Sequence, residues 1–256
     1  MPPCACAISA PLGIQAARKI SIPAVLLENF TWDWIYNQLG ECHPEYIPIA
    51  RAIEHLFQPA VHIRLRPECP TTHPYKCVIG PIARIPTLDR ITIRKLLNIP
   101  PDKPVVFIAF GGVDHNASLQ LDKLDSSFHV VLYSNNLENY ECRNVTCLSR
   151  QSGIRSQDLL AASDLIIGKP GYSTVSEVVT SGIPFMYIPR PGFPESHFLE
   201  AYVQKFVPVK SITQLEFSKG DWISFVPDLI QSEFRVPIQP QNEFLAETVL
   251  HQIINL

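Results

Sequence analysis

From residue 104 onward, short apolar runs alternate with amphipathic stretches. Residues 104–110, 130–133, 165–167 and 185–188 are apolar and short, the pattern of buried strands. Residues 116–125, residues 158–162 and the stretch beginning near Thr174 carry the spacing of helices. Strands alternating with helices predict a parallel, doubly wound sheet. Residues 198–206 and Asn242–Ile254 read as further helices.

The first 80 residues repeat the pattern less completely. Pro11–Lys19 reads as a helix and leads to a strand ending at Leu26. Residues 45–57 place Ile47, Ala50, Ile53, Glu54 and Phe57 at helical spacing. Val61–Leu65 alternates as a strand does, and Cys77–Ile79 is another short run. Gly80-Pro81 ends this half. Residues 81–103 form a connector with one helix, 92–97, closed by Pro100-Pro101. The fold class is α/β.

Composition narrows the function. A length of 256 residues allows one large or two small domains. The chain is 46% hydrophobic and 18% charged, which suits a packed core. A net charge of −3 offers no field for nucleic acid, so any phosphate site must be local. No apolar run is long enough for a transmembrane helix. The start lacks the basic and apolar regions of a signal peptide. The seven cysteines are odd in number and show no CxxC or zinc spacing. Reduced thiols, a cytoplasmic location and no bound metal are expected. The sequons at Asn29, Asn116 and Asn144 then have no glycosylation role.

The richest segment is residues 164–177, DLIIGKPGYSTVSE. A strand enters a Gly/Pro turn and a helix follows. Unpaired amides and the positive dipole end make such a helix start an anion site. Gly168, Lys169, Gly171, Tyr172, Ser173 and Thr174 are the candidate diphosphate cradle, together with Gly111 and Gly112 after the preceding apolar strand. Glu177, one turn inside, is placed to accept hydrogen bonds from sugar hydroxyls. Thr174 and Glu177 equally fit a capping box that binds nothing. Lys169 and Arg190 flank the cradle, either offsetting phosphate charge or standing as solvated cations. His115 follows Gly111-Gly112 without distinguishing spacing.

The stretch from Val175 through Ser181-Gly182-Ile183-Pro184 and Phe185-Met186-Tyr187-Ile188 to Glu195-Ser196-His197 resembles the donor-binding half of glycosyltransferases of the GT-B architecture. Asn29-Phe30-Thr31-Trp32-Asp33-Trp34, Gly80-Pro81-Ile82-Ala83-Arg84 and Phe107 to Gly112 are similar to one branch of that superfamily. That branch holds bacterial glycosyltransferase-like proteins of the family 28 C-terminal type and the N-terminal region of plant L-arabinokinases. The resemblance implies a complete Rossmann-like donor domain over 104–240, preceded by a partial acceptor-side Rossmann-like domain over 1–80. Residues 81–103 would link them, and a C-terminal helix, 241–256, would cross back to the first. The sequence then starts partway through the family's first domain, so an upstream segment or a protein partner is expected to complete it.

By position, the resemblance makes Glu177 the ribose contact and Glu195 with Ser196 the sugar contacts. Ser196 departs from the usual Gln. The implied reaction is transfer from a nucleotide-diphosphate sugar, with uridine the expected base, to an unidentified acceptor. The nucleotide sugar is a substrate, and no cofactor is expected. The acceptor needs a general base, and Asp33 and His197 are the candidates. Trp32 and Trp34 beside Asp33 are either a sugar-stacking wall or core. Two other readings stay open: a nucleotide-sugar-binding module or split-enzyme half without turnover of its own, and a sugar-nucleotide epimerase. No Walker-type loop supports a kinase.

Overall fold

The computed structural model describes residues 5–8, 11–57, 61–109, 123–124, 126–134, 140–142, 144–233 and 237–255. Two units result. The first is Met1–Ala83 with Pro191–Leu199 and Gln239–Leu256, and the second is Arg84–Arg190 with Glu200–Ile238.

The first unit contains β1 (Ala5–Ile8), α1 (Pro11–Lys19), β2 (Ala24–Glu28), α2 (Trp32–Gly40), α3 (Ile47–Leu56), β3 (Val61–Leu65) and β4 (Cys77–Ile79). The strands pair in parallel in the order β1-β2-β3-β4. Every residue of β2 is buried, as an inner parallel strand requires. Ile14 and Ala17 give α1 its buried face and pack with Ala7, Leu26 and Phe57. Helix α2 begins at Trp32 behind an extended Thr31. Asp33 therefore lies in its first turn and is not its cap. There its charge suits the positive helix end. Gly40 closes α2 where a Cβ would run into the Ile47 side chain.

The second unit contains α4 (Arg90–Leu96), β5 (Val105–Ala109), β6 (His129–Ser134), β7 (Tyr140–Cys142), β8 (Val145–Ser149), α5 (Ser156–Ala161), β9 (Leu165–Gly168), α6 (Tyr172–Ser181) and β10 (Phe185–Tyr187). Helix α7 (Ser196–Val203) starts among the residues of the first unit and ends in the second, where β11 (Val209–Ser211), α8 (Gln214–Lys219) and α9 (Val226–Ile230) follow. The sheet order is β11-β10-β9-β5-β6-β8-β7. All its described pairings are parallel except β7 against β8. Val106, Ile108, Val130, Leu132, Leu165, Ile167 and Met186 fill one face against Phe217, Trp222 and Val226. Asp164 ties this sheet to α4. Its carboxylate accepts bonds from Arg90 and Arg94 (2.5 and 2.7 Å) and from the Val105 amide (2.8 Å).

Several boundaries differ from the sequence reading for local reasons. Helix α4 starts at Arg90 because Asp89 caps it, accepting the Thr92 amide at 2.8 Å. Helix α8, for which the sequence reading gave no element, is set by a capping box between Thr213 and Glu216. The helix expected over 116–125 lies outside the described residues, apart from Lys123 and Leu124. The last helix, α10 (Asn242–Ile254), groups with the first unit. Gln241 accepts the Gly80 amide at 2.8 Å, and the Asn242 side chain bonds the backbone of Ala83 in both directions. Among the described residues no helix is long and apolar enough to cross a membrane.

Candidate functional site

The second unit brings three parallel strand ends level. Ala109 of β5 and Tyr187 of β10 both stand in register with Gly168, the last residue of β9. Ligands of open parallel sheets bind beyond such carboxyl ends. A Cβ on Gly168 would lie 2.5 Å from the Ala109 carbonyl oxygen, so close strand approach demands glycine there. The chain then turns through Lys169-Pro170 into α6. Gly171 is the N-cap, with extended backbone and no side-chain cap. The helix thus opens two residues before Thr174, and the expected capping box is absent. Residues 171–174 are half-buried or exposed, and Ser173 is the exposed one.

Glu177 lies on the buried face of α6. Its Oε1 accepts a hydrogen bond from Arg84 Nε at 2.5 Å. Glu177, Arg84 and Thr174 line a cavity of about 190 Å³. Its floor is Phe107 and Ala109 of β5, Tyr133 of β6 and Ile166 of β9, with Ser156 and Leu160 of α5 at its side. This combines an apolar floor with a few converging polar groups. It has room for one ring-sized moiety of a larger ligand. Lys169 follows β9, and its ammonium is held below the usual lysine range by burial and by the charge of Arg190. Arg84 closes the Gly80–Arg84 segment that carries the resemblance, but nothing in composition or spacing marks it as the partner of Glu177. Gly111, Gly112 and His115 lie outside the described residues, although the strand before them, β5, is the direct neighbour of β9.

The other expected site residues fall in the first unit. Glu195 is buried and accepts the Asn29 side-chain amide at 2.6 Å. Ser196 is buried beside it, and its hydroxyl has no hydrogen-bond partner among the described residues. His197 is exposed and its ring lies against Phe198, centroids 3.9 Å apart. Asp33 is buried, and its Oδ2 is 2.8 Å from His73 Nε2. Burial opposes its ionisation, but the hydrogen bond and charge of His73 outweigh that and hold its carboxyl below the usual range. His73 in turn stacks on Phe57, centroids 3.9 Å apart. Sequence reasoning missed His73, since nothing in the chain signals a partner forty positions from Asp33. Trp32 and Trp34 are half-buried packing groups. Trp32 meets Phe30 edge-on at 5.3 Å and Trp34 meets Phe198 at 5.7 Å, around Ile35 and Cys69.

No protein-family model matches the chain. L-arabinokinase of Arabidopsis thaliana is 28% identical over 223 residues, covering 84% of this chain and 21% of that protein. Processive diacylglycerol beta-glucosyltransferase of Staphylococcus haemolyticus is 27% identical over 186 residues, covering 66% of this chain and 45% of that protein. Among solved structures, the calicheamicin glycosyltransferase CalG4 superposes with a TM-score of 0.60 at 15% identity, over 90% of this chain and 65% of that one. The fold is that of the GT-B glycosyltransferases, as the sequence resemblance implies, and the likeness to L-arabinokinase is borne out. The chain spans about a fifth of that kinase and under half of the glucosyltransferase.

Proposed function

We propose that the second unit binds the nucleotide diphosphate of a sugar donor, and that the chain serves a glycosyltransferase reaction. The observation that carries this reading is the cavity at the carboxyl ends of β5, β6 and β9, where a buried carboxylate stands one turn behind an uncapped helix start. Glu177 accepts the ribose hydroxyls. The amides at the start of α6 and the cations Lys169 and Arg190 stabilise the diphosphate as it leaves. Two relatives fit the reading: one is named a glucosyltransferase, and CalG4 shares the fold.

Asp33 and His197 are the groups to test for proton removal from the acceptor. Their variants D33N and H197A should slow transfer while leaving nucleotide affinity unchanged. Donor binding is tested by calorimetric titration with UDP, dTDP and GDP, followed by incubation of the matching nucleotide sugar with candidate acceptors. The Glu177→Gln variant should weaken nucleotide binding by about 1–3 kcal/mol, the worth of a lost charged hydrogen bond. Unchanged binding by a destabilised E177Q would make Glu177 a structural ion-pair partner and overturn the reading.

A further inference from the structure

Arg84 is an odd partner for Glu177. The Glu177 side chain is 8% exposed, whereas that of Arg84 is 57% exposed. A guanidinium that well hydrated gains little from one more acceptor, and such half-exposed pairs add little stability. The carboxylate gains much more, because it has left water for the side of a cavity. The bond is therefore best explained by what it does to Glu177. It comes from Nε, and it occupies one oxygen, Oε1. A carboxylate has about four acceptor positions, so the other oxygen remains for a ligand. With Oε1 fixed, rotation of the carboxylate is restrained. A ribose presents two neighbouring hydroxyls, and meeting both requires acceptors at set positions.

We propose that Arg84 is a positioning residue that fixes the Glu177 carboxylate for a vicinal diol, so that the cavity selects ribonucleotides over 2′-deoxyribonucleotides. This rests on the donor-binding reading above. Arg84 does not touch the ligand; it acts through Glu177. Selection follows because a 2′-deoxy ligand leaves an oriented, buried acceptor unsatisfied, which costs more than the lost bond alone. A carboxylate free to turn would compensate with a water molecule and discriminate poorly.

The test is titration of wild type, Arg84→Met, Arg84→Lys and Glu177→Gln with UDP and with 2′-deoxy-UDP. Wild type should prefer UDP about tenfold or more, a charged hydrogen bond converted to affinity. R84M should cut that preference to about threefold or less, chiefly by weakening UDP, and R84K, a cation without the Nε geometry, should restore it only in part. The double variant R84M/E177Q should discriminate no worse than E177Q alone, because both act on one interaction. Equal loss for both ligands in R84M, with the ratio kept, would make Arg84 a phosphate contact and overturn the proposal. Tighter binding of both would mean that Arg84 competes with the ligand for the site, and would overturn it as well. Absence of nucleotide binding by wild type would instead refute the donor-site reading itself. A wild type that binds and an R84M that still discriminates would refute this proposal alone.

Discussion

The two units bury their charges differently. In the first, two pairs have both members dry. Glu28 and His62 stand 3.1 Å apart with side chains 1% and 2% exposed, and Asp33 with His73 is nearly as enclosed. Arg64 is buried too, and its guanidinium donates to the carbonyls of Asn29 and Cys69. Burial raises the Glu28 carboxyl above the usual range despite His62 and Arg64. In the second unit, the acids are shielded and most of the cations reach them from water. Glu177, Asp158 and Asp164 meet Arg84, Arg155 and Arg90, whose side chains are 57%, 47% and 42% exposed. A pair with a hydrated member can open and let a ligand compete. A pair with two dry members cannot open without stranding a charge. On the donor-binding proposal the ligand-responsive carboxylate lies in the second unit, and the buried Glu28, His62 and Arg64 of the first unit are architectural.

The largest expected effect breaks a dry member. Arg64→Met leaves two buried carbonyls and Glu28 without their cation. It should cost about 3–5 kcal/mol, read as a lowered urea midpoint. The comparison fails if Arg84→Met, in a hydrated pair, costs as much; about 1 kcal/mol or less is expected there.

Acid should next probe the second unit's core. His129 is buried against Thr146, with its imidazole pushed down to about 4 by burial first and then by Lys103 and Arg94. Above its ordinary value near 6.5 the imidazole is neutral whether folded or unfolded. As pH falls from there to about 4, the unfolded chain takes up a proton that the folded chain refuses, so stability falls. The loss approaches about 3 kcal/mol at full protonation. His129→Gln should flatten that part of the profile, and an unchanged slope would remove His129 as its source.

Gly168→Ala should cost about 1–3 kcal/mol, since its Cβ meets a carbonyl rather than a movable side chain. It should also weaken nucleotide binding by spreading β5 from β9. Normal stability in this variant would show that the two strand ends have room to part.

Much of this was legible in the sequence where a pattern is local. The apolar runs of β5, β6, β9 and β10 announce buried parallel strands, and Pro11–Lys19 and Asn242–Ile254 are read with their observed bounds. Short elements were less legible. In β8, Thr146 and Cys147 interrupt the apolar run, and Thr146 is buried only because His129 on the adjacent strand β6 satisfies it at 2.8 Å. The start of α6 was misplaced because Tyr172 and Ser173 look like turn residues, and because a Thr-x-x-Glu pattern mimics a cap. Glu177 was visible from its place behind the turn. Its partner Arg84 was not, because a contact across 93 positions leaves no trace in local spacing. The pairing of Asp33 with His73 was hidden for the same reason.

The central claim is that a nucleotide diphosphate seats at the strand ends of the second unit. Hydrogen exchange of the intact chain, with and without saturating UDP, tests it directly. Slowed exchange is predicted in peptides spanning residues 165–181, with those spanning 24–36 and 61–79 unchanged. Protection confined to 24–36 and 61–79, or no protection at UDP concentrations that saturate binding, would contradict it.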